Sequence, residues 1–517
     1  MQGDFDGLRW WQTRWFAAAA IVASALPLLW PAFPPLVDMP GHIGLYRIMA
    51  EAGQAPLAAH YAVHPALIGN LGVEALVLAL HPLLEVEPAS HLIVALIPPL
   101  TVAAMLWLAR AAHGRISPPA GFALPLAYAL PFQLGFVNFA LAAGLAMAGL
   151  ARWVRLARRT APPSRIAIFV PIAGLIWLCH SFGWAMLGLF VIGAEWAIRR
   201  ARGETVSRAA IFAAITCVPL AWPQMLAMVS GVHLAGDTGD WFDLLSKAPW
   251  VASLLRERWK AYDVACVIVL ALLLWGAVRA KHLSFSSLLG VPALLGLGAF
   301  LLLPRLYAGG AYVDMRILPF ALALGLLAIQ VEPGEAPLAN RLALFGAALF
   351  ALRLTTSIIA FALFARDQQA ELAALPAMPM GAAILSLVDE PSTASWDNPR
   401  LGHLPGTAIA RRRIFTNEQW ANSGQQVIEP LHPAAVPFDR DPSQLVFPVD
   451  APYRQTDMDQ AIAHFDRGTF GYFWTIGFAP GRAHAADLAP VWSNGRSTLY
   501  RVMAPPKAPL SSVAIGR

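Results

Sequence analysis

Long apolar stretches, each about 15–24 residues, follow one another from near the N-terminus to about residue 364, with short polar segments between them. A run of that length matches a helix crossing the roughly 30 Å hydrocarbon core of a bilayer. The pattern predicts spans at 15–31, 70–84, 89–112, 135–152, 166–180, 183–198, 209–229, 261–279, 284–303, 317–331 and 341–364. The stretch 117–132 is short and broken by Pro125 and Pro131, so it reads as a re-entrant or broken helix. Beyond about residue 365 the apolar runs stop. The tail alternates a helix-like stretch, Met458 to Phe465, with strand-like ones at Leu445 to Val449, Gly471 to Phe478 and Ser497 to Val502. The pattern as a whole predicts a polytopic α-helical membrane protein with about 11 transmembrane helices plus the re-entrant or broken one. It divides into a transmembrane domain, 1–365, whose first outer loop is 32–69, and a C-terminal soluble α/β domain, 366–517.

Composition agrees. The 517 residues are 57% hydrophobic and 13% charged, about half the charged share of a soluble domain. Net charge is +6 and the pI about 9.4. That excess does not form a nucleic-acid face, because it follows membrane topology. With Arg9 and Arg14 inside, the clusters Arg152/Arg155/Arg158/Arg159/Arg165, Arg199/Arg200/Arg202/Arg208 and Arg279/Lys281 all fall inside as well. Counting 117–132 as a full span would put the first of these clusters outside. Arg256, Arg258 and Lys260 run against the bias. The loop 32–69, the turn at His180-Ser181, the loops 230–260 and 304–316 and the tail then share the outer side, the periplasm for a bacterial inner membrane. The apolar run after Arg14 continues through Trp30, which favours a retained signal anchor over cleavage at Ala23-Ser24-Ala25. Cys179, Cys217 and Cys266 lie in or beside apolar segments without metal-ligand spacing and read as packing residues.

The polar residues worth chemistry sit on that outer side. Asp38 follows the first span and heads an amphipathic stretch, 41–51, expected to lie along the membrane surface. It reads either as the cap of that helix or as a general base toward an acceptor hydroxyl. His42, one turn on, shares the site or is an interfacial histidine. Arg316 offers a planar fork of donors suited to a lipid phosphate; the bland alternative is a surface pair with Asp314. His180, at a hairpin between two spans, is a candidate for phosphate binding or proton transfer, or a packing histidine. Arg353 lies inside the last span, where an arginine is costly and is either functional or paired. Asp237, Thr238, Asp240 and Asp243 supply oxygen ligands for a divalent cation but lack the glutamate that closes a calcium loop, so a polar loop is preferred.

Three short stretches carry a family resemblance. Pro35-Leu36-Val37-Asp38-Met39-Pro40-Gly41-His42 is similar to the opening "P-L-x-D-x-P-x-H" of bacterial members of the GT-C superfamily, integral membrane glycosyltransferases that typically use polyprenyl-phosphate sugars. Leu134-Gly135-Phe136-Val137-Asn138-Phe139 and Asp314-Met315-Arg316-Ile317-Leu318-Pro319 also resemble their patterns. The architecture over about residues 10–365 is likewise similar. The resemblance implies that Asp38 is the catalytic first-loop aspartate and Arg316 a donor-phosphate contact. Many members carry a second acid beside the first; here Met39 follows Asp38, so a tandem-acid metal site is not expected.

The leading expectation is inverting transfer of a sugar from a lipid-linked donor to a glycan, lipid or protein acceptor at the outer face, with Asp38 as base. His42, His180, Asp314, Arg316 and Arg353 are the candidate substrate-binding residues. No cofactor is required; a divalent cation stays open. A transporter or lipid flippase, marked by mid-membrane ionisable residues such as Arg353, and a non-catalytic assembly partner are the rivals.

Overall fold

The computed structural model describes residues 9–158, 162–230, 237–389, 395–420, 426–432, 445–446 and 458–503. Arg159, residues 231–236 of one outer loop and 447–449 of an expected strand lie outside the described residues.

Among the described residues, seven helices are long and apolar enough to cross a membrane: Val86–His113, Val137–Ala157, Pro162–Cys179, Ser181–Ala201, Val206–Val229, Lys260–Arg279 and Ala336–Ala377. The chain is an integral membrane protein built on them. Arg14–Leu28 and Ser287–Leu302 are shorter apolar helices. Every expected span contains a helix, but among the described residues seven, not about eleven, have the length of a full crossing. Gly72–Leu80 and Leu318–Ala328 have 9 and 11 residues, which reach only about 14 and 17 Å. The run 317–331 falls short because Ile329–Val331 leaves the helix and pairs antiparallel with Leu283–Phe285. An apolar run reports burial, and helix length does not follow from it. The stretch 117–132 is broken as its prolines dictate: two 3₁₀ pieces, Pro118–Phe122 and Leu124–Tyr128, precede the single turn Leu130–Gln133.

Close helix packing rests on small residues. A Cβ on Gly183 would stand 2.4 Å from that of Ala142, and one on Gly144 would meet Thr101 Oγ1 at 3.0 Å. The three cysteines are buried and in no disulfide. The last of the long apolar helices, Ala336–Leu372, runs 37 residues without a break, about 55 Å. It exceeds the hydrocarbon core and carries its final turns to the tail.

The tail contains a mixed sheet in the order 415–416, 383–389, 472–476, 498–502, 488–493, with 445–446 also pairing with 383–389. The Ala383–Asp389 strand is parallel to its neighbours; Tyr472–Ile476, Thr498–Val502 and Leu488–Ser493 form an antiparallel run. The tail also grips the first outer loop. Tyr61–Val63 pairs antiparallel with Ile428–Pro430, and the Pro405–Arg412 helix packs on the first-loop helix, Met39–Ala50. That contact corrects the expectation of a helix lying on the membrane surface. Met39 to Gly41 and Ile43 to Ile48 are buried, because the tail covers the face that would otherwise meet lipid. Glycine makes the approach feasible: a Cβ on Gly406 would fall 2.4 Å from Pro40 O, and one on Gly44 2.8 Å from Gly406 O.

Ion pairs close the seam. Arg413 bonds Glu51 at 2.8 Å, Arg411 bonds Glu87 at 2.8 Å, and Arg47 bonds Glu51 and Glu85 at 2.8 and 2.7 Å. The cations that ran against the charge bias also find a reason. Arg256 donates to the carbonyls of Trp396 and Asp397 at 2.7 and 2.9 Å. Lys260 sits over the Trp396 ring and Arg258 over Phe364. Arg256 and Lys260 hold the tail against the transmembrane part, while Arg258 packs on the long helix that leads to it.

Candidate active site

Asp38 is fixed by its backbone. Its N–H donates to Leu134 O at 2.9 Å, and that of Val37 to Gln133 O at 3.3 Å. Gly135 lets the two segments touch. Its φ is +94°, and a Cβ there would stand 2.7 Å from Asp38 N and 3.0 Å from Asp38 Cβ; any side chain would be strained and would push Asp38 away. Arg400, from the tail, donates to Pro35 O at 2.6 Å, Gln133 O at 3.1 Å and Gln133 Oε1 at 2.7 Å, clamping the same loop. Asp38 stands at the N-terminus of the Met39–Ala50 helix, yet its carboxylate makes no capping bond to it. The side chain is 17% exposed and faces the site.

Arg316 closes the 3₁₀ turn Asp314–Arg316. Its guanidinium lies 4.2 Å from the Phe136 ring centre and 5.8 Å from that of Phe139. Nη2 donates to Ala311 O at 3.0 Å. Enclosure lowers its pKa to about 10, and the charge of Asp38 opposes that fall; Arg316 stays cationic at neutral pH with Asp38 inside its field. The three stretches that carried the resemblance thus meet in space: Asp38 rests on Gly135, and Phe136 and Phe139 cradle Arg316.

His180 completes the anion-seeking side. It caps the Ser181–Ala201 helix, its Nδ1 accepting the Phe182 N–H at 3.0 Å. Burial, then the Arg316 charge, push its pKa well down, so the ring is neutral and its proton resides on Nε2. Nε2 faces Arg316 Nη1 at 3.2 Å. Neither of these N–H groups gives the other an acceptor, and Arg316 Nε, like Arg353 Nε, has none among the described residues. Converging donors without an acceptor suit an anionic oxygen.

His42 lies on the other flank of Asp38, its ring stacked on Tyr46 at 5.9 Å and tilted against Trp420 at 5.4 Å. Burial, reinforced by the nearby His403, lowers its pKa to about 4 despite a bond with the Gly135 backbone; it is neutral at pH 7. His403 was not anticipated. Its Nε2 stands 3.8 Å from Asp38 Oδ1, its Nδ1 3.1 Å from Glu418 Oε1, and its ring 4.5 Å from Trp420. The available signal was the run Asn417-Glu418-Gln419, three polar residues that are 2% exposed each. Spacing along the chain does not reveal such burial.

The other expected residues take different places. Asp314 pairs with Lys247 at 2.8 Å, not with Arg316, and Lys247 also donates to Leu303 O at 3.0 Å. Arg353 is answered from within the fold: Asp263 at 2.6 Å, Glu257 at 3.5 Å and Leu255 O at 3.0 Å. In the Asp237 to Asp243 run, Asp240 lies 3.9 Å from Arg305 and Asp243 caps the Leu244–Ala252 helix. Among the described residues no three His, Cys, Asp or Glu side chains group as metal ligands. Met39 stands beside Asp38 and is buried. The residues present therefore do not fit a tandem-acid metal site.

No protein-family model matches the chain, and no curated protein matches it. Among solved structures, ArnT from Cupriavidus metallidurans bound to undecaprenyl phosphate aligns over 95% of this chain and 99% of its own, at 14% identity and a TM-score of 0.49. Arabinofuranosyltransferase AftD from Mycobacteria aligns over 95% of this chain and 41% of its own, at 15% identity and a TM-score of 0.38. Likenesses at this level leave the functional reading to the geometry of the site.

Proposed function

We propose that this chain is a GT-C-type membrane glycosyltransferase that moves a sugar from a polyprenyl-phosphate donor to an acceptor hydroxyl at the outer face of a bacterial inner membrane. One observation carries the reading: a largely buried carboxylate, Asp38, lies within the field of the enclosed cation Arg316, whose guanidinium stands 3.2 Å from His180. Base and anion holder are the two halves of a displacement at an anomeric carbon.

In this reading Asp38 takes the proton of the acceptor hydroxyl. The freed electron pair of that oxygen forms the bond to the anomeric carbon, on the face opposite the phosphate. The bond from that carbon to the phosphate oxygen breaks, and its electron pair stays with the lipid phosphate. Arg316 and His180 donate to the departing oxygens, with the inverted product as the outcome. The helices supply a membrane-level wall for the lipid, and the tail, periplasmic in this reading, covers the site and meets the acceptor.

Purified full-length protein in lipid nanodiscs tests the reading with a radiolabelled polyprenyl-phosphate sugar. Transfer to an acceptor, lost by about a hundredfold or more in Asp38→Asn, supports it. Full activity in Asp38→Asn removes the assigned base. Accumulation of substrate in proteoliposomes without a new covalent product would favour a transporter, although Arg353, the residue on which that rival depended, is already paired with two carboxylates.

A further inference from the structure

The tail contributes more than a cover. From Asp38 outward runs a line of titratable groups: Asp38 Oδ1, then His403 Nε2 at 3.8 Å, then His403 Nδ1 to Glu418 Oε1 at 3.1 Å. His403 is buried and the Glu418 side chain has no exposure. Glu418 Oε2 accepts Gln419 Nε2 at 2.8 Å, and the same amide nitrogen donates to Gly41 O at 3.0 Å. Gly41 and Gly406 press against the carboxylate from both sides; a Cβ on either would approach a Glu418 oxygen at 2.4 or 2.8 Å. An acid fixed so closely next to an imidazole sets its tautomer: Nδ1–H donates to Glu418, and Nε2 presents its lone pair to Asp38.

We propose that His403, oriented by Glu418, is the proton receiver behind Asp38, so that the tail domain supplies half of the base of this enzyme. The inference rests on Asp38 acting as the base. After transfer the proton sits on Asp38 Oδ. Relayed by one water across the 3.8 Å gap, it passes to Nε2 of His403, which becomes an imidazolium held between two carboxylates; Asp38 is again an anion, and the proton then leaves His403 for solvent. No atom is consumed and no co-reactant is needed. His403 and Glu418 act through Asp38, and both are positioning residues. Among the described residues, Asp38 and His42 from the first-loop segment and Glu418 from the tail face His403, with Arg316 beyond Asp38. His42 is neutral, and both carboxylates favour the imidazolium.

The test is a pH–rate profile of transfer by the full-length protein in nanodiscs, for wild type, Asp38→Asn, His403→Gln and Glu418→Gln, each with its melting temperature recorded. Wild type should lose rate on the acid side across the range in which an imidazole titrates, about 6.5 for a free one. His403→Gln should lower kcat on the order of ten- to a hundredfold, a part of the hundred- to ten-thousandfold that a general base contributes, and should remove that acid limb. Glu418→Gln should move the limb to lower pH, because the imidazolium loses one of its carboxylates. A tail that only docks would give an equal loss at every pH with the limb unmoved, and that result overturns the proposal. So does a variant with unchanged rate and profile while Asp38→Asn is inactive. Full activity in Asp38→Asn would instead remove the base reading itself, a distinct outcome. If His403→Gln fails to fold, the isosteric Glu418→Gln still decides through its profile.

Discussion

Arg316 and Arg353 are both enclosed arginines, and the fold treats them in opposite ways. Arg353 meets Asp263, Glu257 and a backbone carbonyl, and the carboxylates themselves take further bonds from Trp396, Ser357 and Gln133. Arg316 meets two aromatic rings, one carbonyl and a histidine that also offers a proton. Both leave Nε without an acceptor among the described residues, but the charge of the first is met by two carboxylates. The second keeps donor capacity that an anion would complete. A buried charge alone therefore does not mark a site; incomplete pairing beside a carboxylate does.

The contrast is best attacked at its stronger end. Arg353→Met should cost about 3–5 kcal/mol of stability, since it leaves Glu257 and Asp263 buried without their cation. Thermal or denaturant unfolding in detergent would read this, while the folded fraction keeps its kcat. A large loss of kcat at unchanged stability would erase the distinction. Next, Arg316→Gln should lower kcat roughly a hundred- to a thousandfold, as removing an oxyanion donor does, with a melting temperature equal to or above that of wild type. Marked unfolding instead would make Arg316 a second structural arginine.

Gly135→Ala sharpens the geometry. Strain at φ +94° should cost about 1–3 kcal/mol. Because the new Cβ presses on Asp38, transfer should fall while the affinity for a lipid phosphate, measured by displacement of a labelled analogue, stays within about twofold. The smallest effect concerns pH. His42 has a pKa near 4 in the folded chain against 6.5 as its ordinary value. The unfolded chain therefore takes up the proton first. The contribution of His42 is whole above about pH 6.5 and is lost as pH falls toward 4. Melting temperature should slope downward across that window, and the slope should shrink in His42→Gln.

Much of the Arg316 side was legible in sequence. Charge bias put His180 and Arg316 on the side of Asp38, and the short stretches around Gly135 and Arg316 pointed to the same place. Each of these residues lies at the end of an apolar segment, where hydropathy gives position along the membrane normal. The Asp38–His403 side was not legible. His403 and Glu418 come from a tail without strong periodicity, and only tertiary pairing brings them to the first loop. Lys247 was passed over for a related reason. Its helix, Leu244–Ala252, reads as a polar loop with apolar insertions, and nothing local reports that Asp314 lies across from it. The first-loop helix misled in the other direction: an apolar face meant for protein is indistinguishable in sequence from one meant for lipid. The same limit turned nine- and eleven-residue helices into expected crossings.

The seam between the first loop and the tail also has a bearing on time. Pro35 and Arg400, bonded at 2.6 Å, are 365 residues apart in the chain. At about 5–20 residues per second, a ribosome needs roughly 20–70 s to go from one to the other. Throughout that interval Asp38 exists without the clamp that holds its loop and without the histidine behind it. In the proposed mechanism the nascent protein is thus idle until the segment carrying Arg400 and His403 has been made and has docked on the first loop.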